Sequence, residues 1–357
     1  MKYRLFLMMA AWLLALAVAP LSAAESYSFA EGARGFLMRD YNDRLVAYLR
    51  KNSPEHVRVP KTPDEFCAET TENTRLLQAN LAGTHAPSGR AGPVEFDALG
   101  LTWPDDFVRC TNLIDCWEGT LNKLEGSSES ADNFPNVTFG IVGFTSEDGS
   151  LQEFLQNANA ATSGAVFQLA RERLAPKDAA KFIELVDGFK PKGLKKNHEE
   201  FVKFAIRNPK ADPDEQQPRP EIAQLFAAFE TIPQFRDYQL SLARKKSWDA
   251  ELPEYREQLF GKDHRSLHTD LFCFDMTVLT NGPGTKELHK LEKVRWSSEV
   301  ERMKQISAAM KTSSEYKNDE EKRSDILERE RCIIEGKGEV HDDDYDLRAF
   351  ALLPVKE

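Results

Sequence analysis

Residues 110–126 read CTNLIDCWEGTLNKLEG and carry the pattern of an amphipathic helix. At about 100° per residue, the apolar side chains gather on one face, and Glu118 falls just beyond its edge. A carboxyl group held at such a border beside Trp117 has its charged form disfavoured, as a general acid requires. A helix-flank glutamate with its head in water gives the same pattern, and Glu125 lies at a similar angle. Periodicity alone therefore favours the solvated interpretation.

The residues after this helix predict first a β-strand and then further helices. Residues 137–145, VTFGIVGFT, run β-branched and aromatic side chains together without alternation, which predicts one buried β-strand. Most of the later segments repeat apolar residues at helical spacing. A helix-dominated chain with a small β element belongs to the α+β class.

Residues 265–280, RSLHTDLFCFDMTVLT, predict a helix that is apolar on all sides around Asp275. Such a helix is buried, and a buried aspartate needs a cationic partner. Arg323 and Arg329 on a later helix are both candidates. A structural ion pair and a functional one look alike at this level.

The first 24 residues place Lys2 and Arg4 before an apolar run and the small residues of LSAA. This is the pattern of a cleaved secretory signal, so we expect a soluble protein that is secreted or periplasmic. Without that segment the chain has 45 basic and 58 acidic residues, a net charge of −13. Such a charge argues against nucleic acid and anionic membranes as partners and would attract a cationic one. Residues 25–105 read as an N-terminal extension with no assigned role.

Five cysteines leave at least one thiol over, and no Cys/His spacing predicts a metal site. Cys110 and Cys116 are six residues apart on one predicted helix, about 9 Å at 1.5 Å per residue, which is beyond disulfide reach. Cys67 on the extension is the expected disulfide partner for one of them.

Four stretches together resemble the chitosanases of glycoside hydrolase family 46, which belong to the lysozyme superfamily: CWEG with NVTFGIVGFT, CFDMTVLTNGPG, IPQFRDYQLSLARKKSW and AAMKTSSEYKNDEEKRSDILERER. The resemblance spans roughly residues 105–345. It implies that residues 106–357 form a mainly helical, two-lobed, lysozyme-like domain with a cleft between the lobes.

The resemblance also implies roles for individual residues. Glu118 matches the general acid of the family, and Thr138 matches the threonine that orients the attacking water. Asp275 and Arg323 match the buried aspartate and the arginine of a charge network behind the acid. By this comparison Arg323 would help to set the protonation of Glu118.

The base and the sugar-binding side depart from the family pattern. Asn133 stands five residues before Thr138, where the family has its second carboxylate, so a working base requires Asp132. Ser150 occupies the place of a substrate-binding aspartate, with Asp148 nearby.

The resemblance implies an endo-acting, inverting hydrolase of the β-1,4 bonds of chitosan. We expect a monomer that needs no metal or organic cofactor, because two carboxylates and a water suffice. Two alternatives stay open: a peptidoglycan-active hydrolase of the same superfamily, and a non-catalytic glycan-binding protein on a decayed hydrolase scaffold.

Overall fold

The computed structural model describes residues 27–81, 87–118, 121, 123–127, 135–141, 143–210, 216–262, 264–279, 291, 294–312 and 320–355. Over these ranges the protein is mainly helical, with a three-stranded antiparallel sheet and a separate β-hairpin. This agrees with the α+β class expected from the sequence. The predicted signal segment, residues 1–24, lies outside the described residues.

Helices precede, separate and follow the strands along the described parts of the chain. The described helices are α1 (Phe36–Asn52), α2 (Ala68–Asn80), α3 (Pro93–Ala98), α4 (Asp106–Glu118), α5 (Ser150–Ala161), α6 (Ala165–Arg173), α7 (Pro176–Asp187), α8 (Leu194–Ala205), α9 (Pro220–Ala228), α10 (Pro233–Ala243), α11 (Leu252–Phe260), α12 (Leu267–Leu279), α13 (Glu299–Lys311) and α14 (Glu320–Glu335). The strands are β1 (Leu124–Ser127), β2 (Asn136–Phe139), β3 (Phe144–Thr145), β4 (Lys337–Val340) and β5 (Asp343–Asp346).

Apolar side chains are buried in two clusters. The first core is built by α1, α4, α12, α14 and the β4–β5 hairpin, and the second core by the three-stranded sheet and helices α5–α10. Leu121 belongs to the first core and Leu124 to the second, so the chain passes between them just after Glu118. Two cores suit a two-lobed architecture; the lysozyme-like arrangement and the cleft stay predictions.

The described part of the predicted extension, residues 25–105, buries several of its aromatic side chains in the first core. Tyr41 stacks on Phe66 and on Phe96, with ring centroids 5.9 and 5.1 Å apart. These rings share the core with Phe107 and Ile114 of helix α4. Part of the stability of helix α4 therefore comes from side chains that precede it in the sequence.

Asn112 fastens helix α4 to the start of helix α1. Its Oδ1 accepts a hydrogen bond from the Leu37 amide at 3.1 Å, and its Nδ2 donates to the Arg34 carbonyl at 2.8 Å. Gly35 lies between them at φ 102, and a Cβ atom there would come within 2.5 Å of Asn112 Oδ1. Only glycine meets both the backbone conformation and the close approach.

Helix α4 is shorter than the sequence predicts. It begins after Asp105, whose Oδ1 accepts a hydrogen bond from the Val108 amide at 3.0 Å, and it ends at Glu118. The Leu121 amide donates to the Asp115 side chain at 2.8 Å instead of continuing the helical ladder. The prediction that helix extends to Gly126 is therefore wrong, because residues 124–127 form strand β1.

The predicted single strand over residues 137–145 is a hairpin. Strands β2 and β3 pair antiparallel, with Thr138 opposite Thr145. Gly140 and Gly143 between them have φ values of 81° and 61°, and the Gly143 amide donates to the Gly140 carbonyl at 2.9 Å. The single-strand prediction is wrong because it treated these two glycines as strand residues rather than turn residues.

A long helical segment connects the two cores. Helix α10 continues through a π-helical stretch, Arg244–Glu251, into helix α11. Phe235 at its start lies in the second core, and Ala243 and Leu259 lie in the first. Pro253 lacks an amide hydrogen, which interrupts the regular hydrogen-bond ladder next to the π-helical stretch.

All five cysteines are free thiols. The predicted disulfide between Cys67 and either Cys110 or Cys116 is therefore wrong: Cys67 lies by Thr70, with Sγ 3.5 Å from Oγ1. Cys110 is buried in the first core. Within the described ranges, no helix combines the length and the apolar character needed to cross a membrane.

Candidate active site

Glu118 is the last residue of helix α4, and its carboxylate faces a buried arginine. Arg329 Nη1 donates a hydrogen bond to Glu118 Oε1. The Glu118 side chain is 24% exposed, whereas that of Arg329 is fully buried. The C-terminal end of a helix carries partial negative charge, so a carboxylate there needs a cation beside it. Arg329, on helix α14, is that cation.

Asp275 lies on the other side of the same guanidinium. Its side chain is almost fully buried on helix α12, as predicted, and its Oδ1 accepts hydrogen bonds from Arg329 Nε at 3.1 Å and from Arg329 Nη2. The assignment of Arg323 as its partner is wrong. Arg323 lies in the first turn of helix α14 and faces Glu320 at 3.6 Å. Arg329 lies mid-helix, on the buried face.

The Arg329 guanidinium thus lies close to three carboxylates. Arg329 Nη1 also lies 3.9 Å from Asp325 Oδ2, one turn earlier on helix α14, and the guanidinium stands 5.1 Å from the centroid of the Trp117 ring. One positive charge among three acids leaves excess negative charge, which favours the uptake of a proton by one of them. We call Glu118, Asp275, Asp325 and Arg329 the charge cluster.

Exposure excludes Asp275 as the acid of the charge cluster that delivers a proton to a substrate. The pKa of Asp275 is raised from 3.8 to about 6: burial is the largest cause, the charges of Glu118 and Asp325 add to it, and Arg329 opposes these effects. Asp275 is sealed in the core, however, and a substrate cannot reach it. Asp325 is held by His341, whose Nε2 lies 2.6 Å from its Oδ1. Glu118 and Asp325 are both 24% exposed, but Asp325 is paired with His341, which makes Glu118 the candidate acid.

Glu125, which periodicity could not separate from Glu118, occupies a different setting. It lies on strand β1 opposite Thr138, and its carboxylate faces Lys123 at 2.6 Å with nearly half of its side chain exposed. The structure therefore distinguishes the two glutamates: Glu118 contacts a buried charge and Glu125 makes a surface ion pair.

Thr138, Asp148 and Ser150, which were also predicted as site residues, lie on or beside the three-stranded sheet. Thr138 is half-buried on strand β2. Asp148 Oδ1 accepts hydrogen bonds from the Ser150 amide and from Thr145 Oγ1, both at 2.8 Å. Partial burial raises the pKa of Asp148, but these hydrogen bonds outweigh it and hold the pKa below its ordinary value. The hydrogen bonds of Asp148 and Ser150 thus stabilise the turn before helix α5. Asp132 lies outside the described residues.

Sequence reasoning left Arg329 undecided and missed Asp325 and His341. Arg329 did carry a signal, because it lies three residues after Ile326 and four before Ile333, on the buried stripe of helix α14. Asp325 sits one turn before it. His341 had no such signal, since it contacts the Trp117 carbonyl across 224 residues of sequence.

The described residues contain no group of three or more His, Cys, Asp or Glu side chains arranged to hold a metal ion. No family model matches the chain, and no curated protein or solved structure matches it.

Glu330, next to Arg329, is a second buried acid with a testable consequence. Both of its oxygens are buried, and burial raises its pKa from 4.5 to about 8 against the opposing effect of the Ser307 hydroxyl. The folded protein then keeps a proton that the unfolded chain releases above about pH 4.5. This contribution to the free energy of unfolding is fully present below that pH and is lost as the pH rises through about 8.

We expect wild-type stability to fall between about pH 5 and about pH 8, by up to about 1.4 kcal/mol per pH unit, relative to Glu330→Gln, which cannot ionise. Denaturant unfolding across this range measures the difference. Glu335→Gln, an exposed glutamate at the end of the same helix, is the control and should follow the wild type. Parallel curves for wild type and Glu330→Gln would show that Glu330 does not retain a proton.

Proposed function

We propose that the protein is a glycoside hydrolase of the chitosanase type, with Glu118 as its general acid. The observation that carries the proposal is the contact of a partly exposed Glu118 with a guanidinium that is itself buried against Asp275. The acid, the aspartate and the arginine come from helices α4, α12 and α14, which lie in three of the four stretches that resemble family 46.

The charge cluster suits an acid that must gain and release a proton in each cycle. Arg329 stabilises Glu118 after it has given its proton to the leaving oxygen. Asp275 and Asp325 share the charge of Arg329, which limits how strongly it favours the Glu118 carboxylate before that step. We propose that Thr138 orients the attacking water and that Asp132 takes its proton. No cofactor is required for this reaction.

The architecture and location belong to the same proposal. We propose a lysozyme-like domain in which the substrate lies between the two cores, near the junction after Glu118. The expected signal segment would place the enzyme outside the cytoplasm. The mature net charge of −13 suits a polycationic polymer such as chitosan. The predicted monomer and the predicted independence of metals stay expectations.

The experiment is a reducing-end assay of the mature chain on chitosan and on peptidoglycan. Release from chitosan supports the proposal, and release from peptidoglycan alone would replace chitosan as the substrate while keeping the hydrolase. Binding to either polymer without release would support a non-catalytic glycan-binding protein. Asn133, where the family has an acid, is the sequence feature that favours that outcome.

We also expect hydrolysis to invert the anomeric centre. A base carried by Asp132, separated from Glu118 by strand β1, would leave room for a water; inverting enzymes keep about 6.5–9.5 Å between their carboxyl groups and retaining enzymes about 5–5.5 Å. Proton NMR of the first products should show the α-anomer. Asp132→Asn should remove most activity, and azide should partly restore it. An initial β-anomer would contradict this arrangement of acid and base.

A further inference from the structure

The C-terminal end of helix α4 is capped by side chains from the C-terminal hairpin. In a continuing helix the Trp117 carbonyl would accept from the amide of residue 121, but the Leu121 amide donates to Asp115 instead. His341 Nδ1 lies 3.0 Å from the Trp117 carbonyl oxygen and takes that place. Tyr345 Oη donates to the adjacent Cys116 carbonyl at 3.3 Å. Both bonds act on the turn that ends in Glu118.

The other nitrogen of the same ring reaches helix α14. His341 Nε2 lies 2.6 Å from Asp325 Oδ1, and Asp325 is the third acid of the charge cluster. One imidazole therefore joins the end of the helix that carries Glu118 to the helix that carries Arg329. Both of its nitrogens face acceptor oxygens, and only the imidazolium ring has two N–H groups to donate to them.

His341 has an unfavourable backbone conformation, which suggests that its side chain is needed at this position. Val340 pairs with Asp343, so His341 and Asp342 form a two-residue hairpin loop, with φ values of 53° and 66°. Positive φ at both positions is the type I′ geometry, which favours Asn-Gly. A histidine held in the left-handed region costs free energy and persists where the surroundings fix it.

We propose that His341 is a positioning residue: its protonated ring clamps the end of helix α4 to helix α14 and so holds Glu118 against Arg329. The positive ring also suits the negative end of the helix. The effect on catalysis rests on the proposed function. The contact between the two helices through His341 does not depend on it. Asp325 is the charged group in contact with the ring. Arg329 lies one turn further along helix α14, Glu118 follows Trp117 on helix α4, Tyr345 lies on strand β5, and Asp342 and Asp343 share the hairpin with His341.

The test compares two variants of the same turn. His341→Asn keeps a residue that the turn favours but cannot reach both oxygens, and Asp342→Gly relieves the same positive φ without touching the clamp. We expect His341→Asn to lower kcat on chitosan between about 10- and 100-fold with little change in KM, as a displaced acid would. Asp342→Gly should keep the wild-type kcat and melt at or above the wild-type temperature.

A double-mutant cycle of His341→Asn with Asp325→Asn tests whether the two side chains interact, and it needs no measurement of enzyme activity. Thermal melting should reveal coupling between the two residues, because each supplies one side of the hydrogen bond between His341 Nε2 and Asp325 Oδ1. Absent coupling would overturn the inference. So would an unchanged kcat in His341→Asn of an active enzyme. Coupling in a protein that hydrolyses neither polymer would instead refute the proposed function alone.

Discussion

Glu118→Gln should abolish hydrolysis while leaving the fold intact. The amide has nearly the shape of the carboxyl group but cannot give a proton to the leaving oxygen, so we expect kcat to fall by about 100- to 10,000-fold. The side chain is partly exposed, and an amide oxygen can still accept the hydrogen bond of Arg329. Circular dichroism and thermal melting should therefore stay close to wild type.

Glu125→Gln is the matched control for that substitution. Glu125 lies on the neighbouring strand β1, exposed and paired with Lys123. An exposed ion pair contributes little, so both activity and stability should change only slightly. If Glu125→Gln abolished activity and Glu118→Gln did not, the acid would lie on the sheet and the charge cluster would be structural only.

Asp275→Ala should have the largest effect on stability. The substitution leaves Arg329 fully buried with its main counter-ion removed, which is expected to cost about 3–5 kcal/mol in the free energy of unfolding. Activity should fall as well, because Arg329 would then rest on Glu118 and Asp325 alone. Urea unfolding measures the first effect and a reducing-end assay the second.

Arg323→Ala separates the two arginines that the sequence offered. Arg323 is partly exposed and faces Glu320 across one helical turn, so its loss should leave stability nearly unchanged. Removal of Arg329 would strand both Asp275 and Glu118. A large destabilisation in Arg323→Ala with normal stability in Asp275→Ala would contradict the pairing described above.

The elements of the candidate site were predictable to different degrees. Burial of Asp275 followed from a helix that is apolar on all sides, and its need for an arginine followed from the cost of a buried charge. The choice between Arg323 and Arg329 did not follow from the family comparison. It depended on which turn of helix α14 faces helix α12, and Arg329 is the residue on that face.

The sequence pattern predicted secondary structure least well at the positions where the chain turns. Helix α4 ends at Glu118 because the Asp115 side chain takes the Leu121 amide, a competition that apolar periodicity does not register. Gly140 and Gly143 convert an apolar run into a hairpin in the same way. His341 is the extreme case, since only the tertiary fold brings a residue near the C-terminus to the end of helix α4.

The central claim is that Glu118 protonates the leaving group, and its most direct test is the ratio of wild-type to Glu118→Gln activity on two substrates. One is chitosan, whose leaving sugar oxygen needs a proton. The other is a dinitrophenyl glycoside of a glucosamine oligomer, whose leaving group needs none. A large ratio on chitosan that collapses on the aryl glycoside is the predicted result. An equal ratio on both substrates, or no wild-type activity on either, would contradict the claim.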